Sequence, residues 1–114
     1  MTPDDLRDAC LALPQATETF PFGEETSVFK TSGNDKIFAI AALGAEPLSV
    51  TLKCDPEESV ALQAEFAQIT PGYHMNKRHW VTVRLEGVPE ELVEQLLASS
   101  HALVRPRVPR RTPA

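Results

Sequence analysis

Two stretches of this chain alternate strictly between apolar and polar side chains, and that alternation restricts the fold more than any other feature. In residues 48–53, Leu48, Val50 and Leu52 have one parity and Ser49, Thr51 and Lys53 the other. In residues 80–85, Val81, Val83 and Leu85 oppose Trp80, Thr82 and Arg84. Successive side chains of a strand point to opposite faces of its sheet, so each stretch reads as a strand with one covered and one uncovered face. The rest of the chain must then supply cover for one face only.

Three helices are predicted to do so. Asp55-Pro56-Glu57-Glu58 is the clearest start: Asp55 caps, Pro56 takes the first helical position and Glu58 closes a capping box. This helix runs to about Ala67, with Val60, Leu62, Ala64 and Phe66 as its apolar surface. At the N-terminus Thr2, Pro3 and Asp5 form a similar start, and Leu6, Ala9, Cys10 and Leu13 fall on one face before Pro14. A third helix begins near Pro89 and carries Leu92, Val93, Leu96, Leu97, Leu103 and Val104 at helical spacing. Short strands at residues 27–30 and 37–41 flank Ser32-Gly33-Asn34-Asp35, a hairpin signal. Pro21-Phe22-Gly23 reads as a turn. The expected class is α+β, a mainly antiparallel sheet with helices packed on one face.

A chain of 114 residues has room for one hydrophobic core. Residues 1–104 form the expected domain. Residues 105–114, with three prolines, four arginines and no core former, read as a flexible Arg/Pro-rich tail. No apolar run approaches the roughly 20 residues that a membrane helix needs, and the N-terminus is acidic. Neither a membrane span nor a secretory signal is expected, which points to a cytoplasmic protein, and a monomer is expected. Cys10 and Cys54 are distant in sequence and read as reduced, packed thiols.

The net charge of −5 is unevenly spread: residues 1–70 hold four basic and twelve acidic side chains, residues 71–114 seven and four. That excludes the bulk basic footprint of many nucleic-acid-binding domains and leaves only a local patch. The unusual segment is Pro71-Gly72-Tyr73-His74-Met75-Asn76-Lys77-Arg78-His79-Trp80, which holds the only Tyr, the only Trp and a Lys-Arg pair. Trp80 has the parity of Arg84. It either covers the end of the sheet or offers a stacking platform beside cations. Lys53, Lys77, Arg78 and Arg84 are either solvated charges or, on one side of a shared sheet, a cluster for phosphate or carboxylate. His74 and His79 lack a third ligand at a known spacing, so no metal or other cofactor is expected. Asp4, Asp5 and Asp8 suit the positive end of a helix dipole better than a cation site. Neither a nucleophile elbow nor a Gly-rich phosphate loop is present, and no catalytic residue is assigned.

Leu13-Pro14, Phe20-Pro21-Phe22-Gly23, Val28-Phe29-Lys30, Leu52-Lys53-Cys54-Asp55-Pro56 and the whole segment from Pro71 to Trp80 resemble the MmcQ/YjbR family, in order and spacing, from about residue 3 to residue 104. The resemblance implies a CyaY-like, frataxin-related two-layer fold, and DNA binding without a reaction. The candidate contacts for nucleic acid or an anion, read from the basic-aromatic segment and the strand parities, are Lys53, Tyr73, His74, Asn76, Lys77, Arg78, His79, Trp80 and Arg84. The alternative is a non-catalytic module for a protein partner or a small anionic ligand on the same face.

Overall fold

In the computed structural model the two alternating stretches lie side by side in antiparallel register, with Val50 opposite Val83, Thr51 opposite Thr82 and Leu52 opposite Val81. The structure describes residues 1–72, 76 and 78–105. Along the chain these form α1 (Pro3–Leu11), β1 (Ala16–Thr19), β2 (Ser27–Thr31), β3 (Lys36–Ala41), β4 (Ser49–Lys53), α2 (Pro56–Glu65), β5 (Ile69–Pro71), β6 (Trp80–Arg84) and α3 (Glu90–Val104). The six strands make one antiparallel sheet in the order β1-β2-β3-β4-β6-β5. α3 lies across β3 and β4, α2 packs against β5, and α1 packs against β1 and α3. All three helices therefore cover the same face, as the alternation requires.

The core sits between these layers. Phe29, Phe38, Val50, Leu52, Val81 and Val83 from the sheet meet Leu6 and Cys10 of α1, Leu62 of α2, and Val93, Leu96 and Leu97 of α3. α3 is also tied to the sheet by polar bonds. The Ser100 hydroxyl donates to the Phe38 carbonyl at 2.6 Å and accepts the Lys53 N–H at 2.8 Å. His101 donates from Nε2 to the Pro14 carbonyl at 2.7 Å, with its ring set edge-on to Phe38. Asn34, in the β2–β3 turn, donates to the Val104 carbonyl at 2.7 Å and accepts from the Thr31 hydroxyl. These bonds satisfy groups that burial would otherwise leave unpaired at a cost.

The helix starts follow the expected chemistry with one difference. Thr2 and Asp5 form a reciprocal capping box, and the bonds from Thr2 hold the Asp5 carboxyl below its ordinary pKa. Asp55 accepts the Glu57 N–H at 3.0 Å behind Pro56, but Glu58 does not return the bond to Asp55. Val60, expected to supply apolar surface, is 70% exposed; α2 instead inserts Leu62 and Ser59. Leu103 is likewise half-exposed. β1 and β5 are not expected from the sequence: β1 is Ala-Thr-Glu-Thr, and β5 is three residues long and ends in proline. Both are edge strands, where short polar or proline-bearing sequences are tolerated because one side of the ladder is unpaired.

Both thiols are free and buried. Burial, with a carboxylate nearby, pushes Cys10 up to about 12 and Cys54 up to about 11. Both pack as small hydrophobes. Among the described residues no helix is long and apolar enough to cross a membrane.

Candidate functional site

Cross-strand register fixes which side chains share the uncovered face. Thr51 pairs with both Thr82 and Ile40, Ile40 with Val28, Val28 with Thr19, and Thr82 with Thr70. Directly opposed residues point the same way, so one row runs Thr19, Val28, Ile40, Thr51, Thr82, Thr70. The Thr51 and Thr82 hydroxyls meet at 2.9 Å. Stepping two residues along each strand adds Lys53 and Ser49 on β4, Trp80 and Arg84 on β6, and Thr17 and Lys30 on β1 and β2. A register shift between Phe29 and Lys30 sets Ile37 opposite Lys30 and so adds it to the same face.

The charge on this face is one-sided. Its strand positions carry Lys30, Lys53 and Arg84 and not one carboxylate, although the chain has 16 acidic residues. Asp35, from the β2–β3 turn, reaches in to pair with Lys30 at 3.4 Å. The other ion pair among the described residues, Arg7–Glu18, lies on the helix side. Lys53, Arg78 and Arg84 thus hold no carboxylate among the described residues. Ile37 and Ile40 are half-buried apolar positions on this face, and Val28 is fully buried.

The expected cluster is only partly assembled. Lys53 stands directly opposite the half-buried Trp80, whereas Arg84 stands opposite Ser49. Four residues of strand separate Lys53 from Arg84, about 13 Å at the ordinary rise. They share a face but lie at its two ends. Arg84 borders a shallow hollow of about 200 Å³ with Ser49, Thr70 and Thr82. Arg78 is exposed in the turn leading into β6, and His79 is half-buried with its carbonyl accepting the Cys54 N–H at 2.7 Å. Asn76 organises that turn: its carbonyl accepts from the His79 and Trp80 N–H groups, and its Oδ1 accepts from the Arg78 N–H at 3.0 Å. Tyr73, His74 and Lys77 lie outside the described residues, as do residues 106–114 of the Arg/Pro-rich tail. Sequence reasoning misses Lys30; the parity of Val28 and Lys30 is the signal, obscured by the shift beside Phe29.

Trp80 is held from behind. The Gly72 N–H donates to the Trp80 carbonyl at 2.8 Å, and a Cβ at Gly72 would meet the Trp80 Cβ at 2.8 Å. Gly72→Ala is therefore expected to push β6 away from this segment and cost about 1–3 kcal/mol, read from urea denaturation. An unchanged midpoint would show that the segment yields freely.

Fold and face together define a class: an α+β domain with helices on one side of an antiparallel sheet and, on the other, an uncovered face of threonines and cations with one tryptophan. The chain belongs to the YjbR family, whose model matches residues 11–103. It is 42% identical over 96 residues to the uncharacterised protein YbdF of Escherichia coli O157:H7, covering 82% of this chain and 76% of that one. It is 29% identical over 102 residues to the uncharacterised protein YjbR of Escherichia coli K12, covering 89% and 85%. A crystal structure of the Deinococcus radiodurans protein DR2400 superposes with a TM-score of 0.81 at 47% identity, over 90% of this chain and 77% of that one. A crystal structure of a Pseudomonas syringae protein gives a TM-score of 0.80 at 26% identity, over 92% and 100%.

Proposed function

We propose that the uncovered sheet face binds single-stranded nucleic acid, as a binding module with no reaction attached. The observation that carries this reading is the charge segregation: a chain of net charge −5 keeps every carboxylate off the strand positions of this one face. Phosphates would engage Lys30, Lys53 and Arg84, with Arg78 at the rim. Bases would lie on Trp80 and on the half-buried Ile37 and Ile40. A flat sheet carrying one stacking aromatic among cations suits unpaired bases, whose faces are open, better than a closed duplex.

Fluorescence anisotropy with labelled single- and double-stranded oligonucleotides, titrated at several salt concentrations, tests this. Lys53→Ala combined with Arg84→Ala is expected to weaken binding to all sequences alike. The salt slope should fall by about 0.7 for each phosphate of a single strand that the variant no longer neutralises. Trp80→Ala is expected to weaken single-strand binding by roughly 1–3 kcal/mol, with circular dichroism confirming that the variant folds. Binding by the parent no tighter than about 10⁻⁴ M would sink the reading and leave a protein partner or a small anion as the ligand of this face.

A further inference from the structure

A second surface has the opposite character. Where β1 ends and β2 begins, a groove of about 690 Å³ opens between the loop that carries Phe20, Glu24 and Glu25 and the loop that follows β3, with Leu43 on its far wall. Arg7, Glu18 and Ser27 also line it, the Glu18 carboxylate accepting from Arg7 at 2.8 Å and from the Ser27 hydroxyl at 2.8 Å, so that this pair is neutral. Glu24 and Glu25 are exposed and take part in no ion pair among the described residues. Phe20 is 48% exposed beside them, a large apolar ring left in water. A groove of this size with an aromatic wall and free carboxylates suits a cationic segment that also carries apolar surface.

We propose that this groove receives the chain's own C-terminal segment, residues 106–114. Three observations select that occupant. The first is charge complementarity: Arg110 and Arg111 match Glu24 and Glu25, whereas Lys30, Lys53 and Arg84 on the uncovered sheet face repel them. The second is composition. Pro106, Val108, Pro109 and Pro113 favour an extended polyproline conformation, the form in which proline-rich segments dock into aromatic-lined grooves. The third is reach. α3 ends at Val104 beside Asn34, at the β2–β3 turn, and the groove lies past the other end of β2. Ser27 to Thr31 spans about 13 Å at the rise of a strand. Arg110 and Arg111 lie six and seven residues beyond Val104, about 19–22 Å in a polyproline conformation, so these two can arrive in cis.

A nitroxide attached at Ala114→Cys tests the placement, because the native thiols of Cys10 and Cys54 are buried and resist labelling. In amide-resolved NMR spectra of the full chain, signals of residues 20–27 and 42–45 are expected to lose at least about threefold in intensity. Those of Thr51 and Thr82 on the opposite face should keep theirs. Combining Glu24→Gln with Glu25→Gln, or adding salt, should restore the groove signals, since charge attraction at an exposed site is screened. Both substitutions are at exposed positions, so the fold is not at risk. Broadening that is absent from the groove, or equal on the two faces, would overturn the proposal. So would broadening that disappears on dilution, which would assign the groove to the tail of a second copy.

Discussion

Phe38→Ala is expected to lower the stability of the domain by about 3–5 kcal/mol, the upper end of what truncating one core side chain costs. Phe38 is fully buried, and its ring lies between Phe29, at 6.4 Å, and the edge of His101, at 5.3 Å. It stands at the register shift between β2 and β3, so its side chain and that of Ala39 both serve the core. The surrounding groups cannot close the void, because Ser100 and His101 are fixed by their own hydrogen bonds. Leu52→Ala, on the neighbouring strand, should cost about 2–4 kcal/mol. Small domains hold only about 5–15 kcal/mol in all, so either variant should show a much lower denaturation midpoint. A loss under about half a kcal/mol, the scale of an ordinary surface substitution, would mean that the covered and uncovered faces have been interchanged.

The second large effect is expected at Ser100. Ser100→Ala removes almost no volume, so a packing account alone predicts little change. The hydrogen bonds predict otherwise. Without the hydroxyl, the Lys53 N–H loses its acceptor and the Phe38 carbonyl loses a donor, both beneath α3. Leaving the buried N–H unpaired costs about 1–3 kcal/mol by itself. Hydrogen exchange separates the two accounts: the Lys53 amide should exchange much faster in the variant, with the Leu52 amide changed only as far as global stability falls. Equal acceleration at both sites would show that Ser100 acts through packing.

These two residues also mark how far the sequence can be read. The alternation in β4 and β6 assigns both faces correctly, and Thr2, Asp5 and Asp55 sit where their capping chemistry puts them. Ser100 and His101 escape notice because helical periodicity is recognised by apolar residues. A polar residue at a core position becomes legible only once its partner carbonyl, 62 or 87 residues away, is in place. β1 is invisible for a related reason: Ala-Thr-Glu-Thr gains its strand character from pairing with β2, not from its own pattern.

For the site, parity correctly puts Lys53, Trp80 and Arg84 on one face, but parity carries no information on register. Once Lys53 is opposite Trp80, antiparallel pairing sends Arg84 to the far end, and the compact cationic cluster becomes a line of contacts. A line suits an extended polymer better than a single phosphate. Asn76 reads as a ligand contact in the sequence because of its neighbours; its bonds within the turn, which only the structure reveals, also organise the segment from Arg78 to Trp80.

The position of α3 in the chain has a consequence for synthesis. The helix that covers β3 and β4 is encoded after every strand of the sheet. A nascent chain that has left the ribosome only as far as Val88 already contains all six strands, yet Phe38, Ala39 and Leu52 still face water. The Ser100 hydroxyl that joins β3 to β4 has not yet emerged. Such an intermediate exposes apolar sheet surface and edge strands, the features that recruit chaperones or promote aggregation. Its lifetime is the time that α3, already synthesised inside the exit tunnel, takes to follow β6 out, a matter of seconds at ordinary elongation rates.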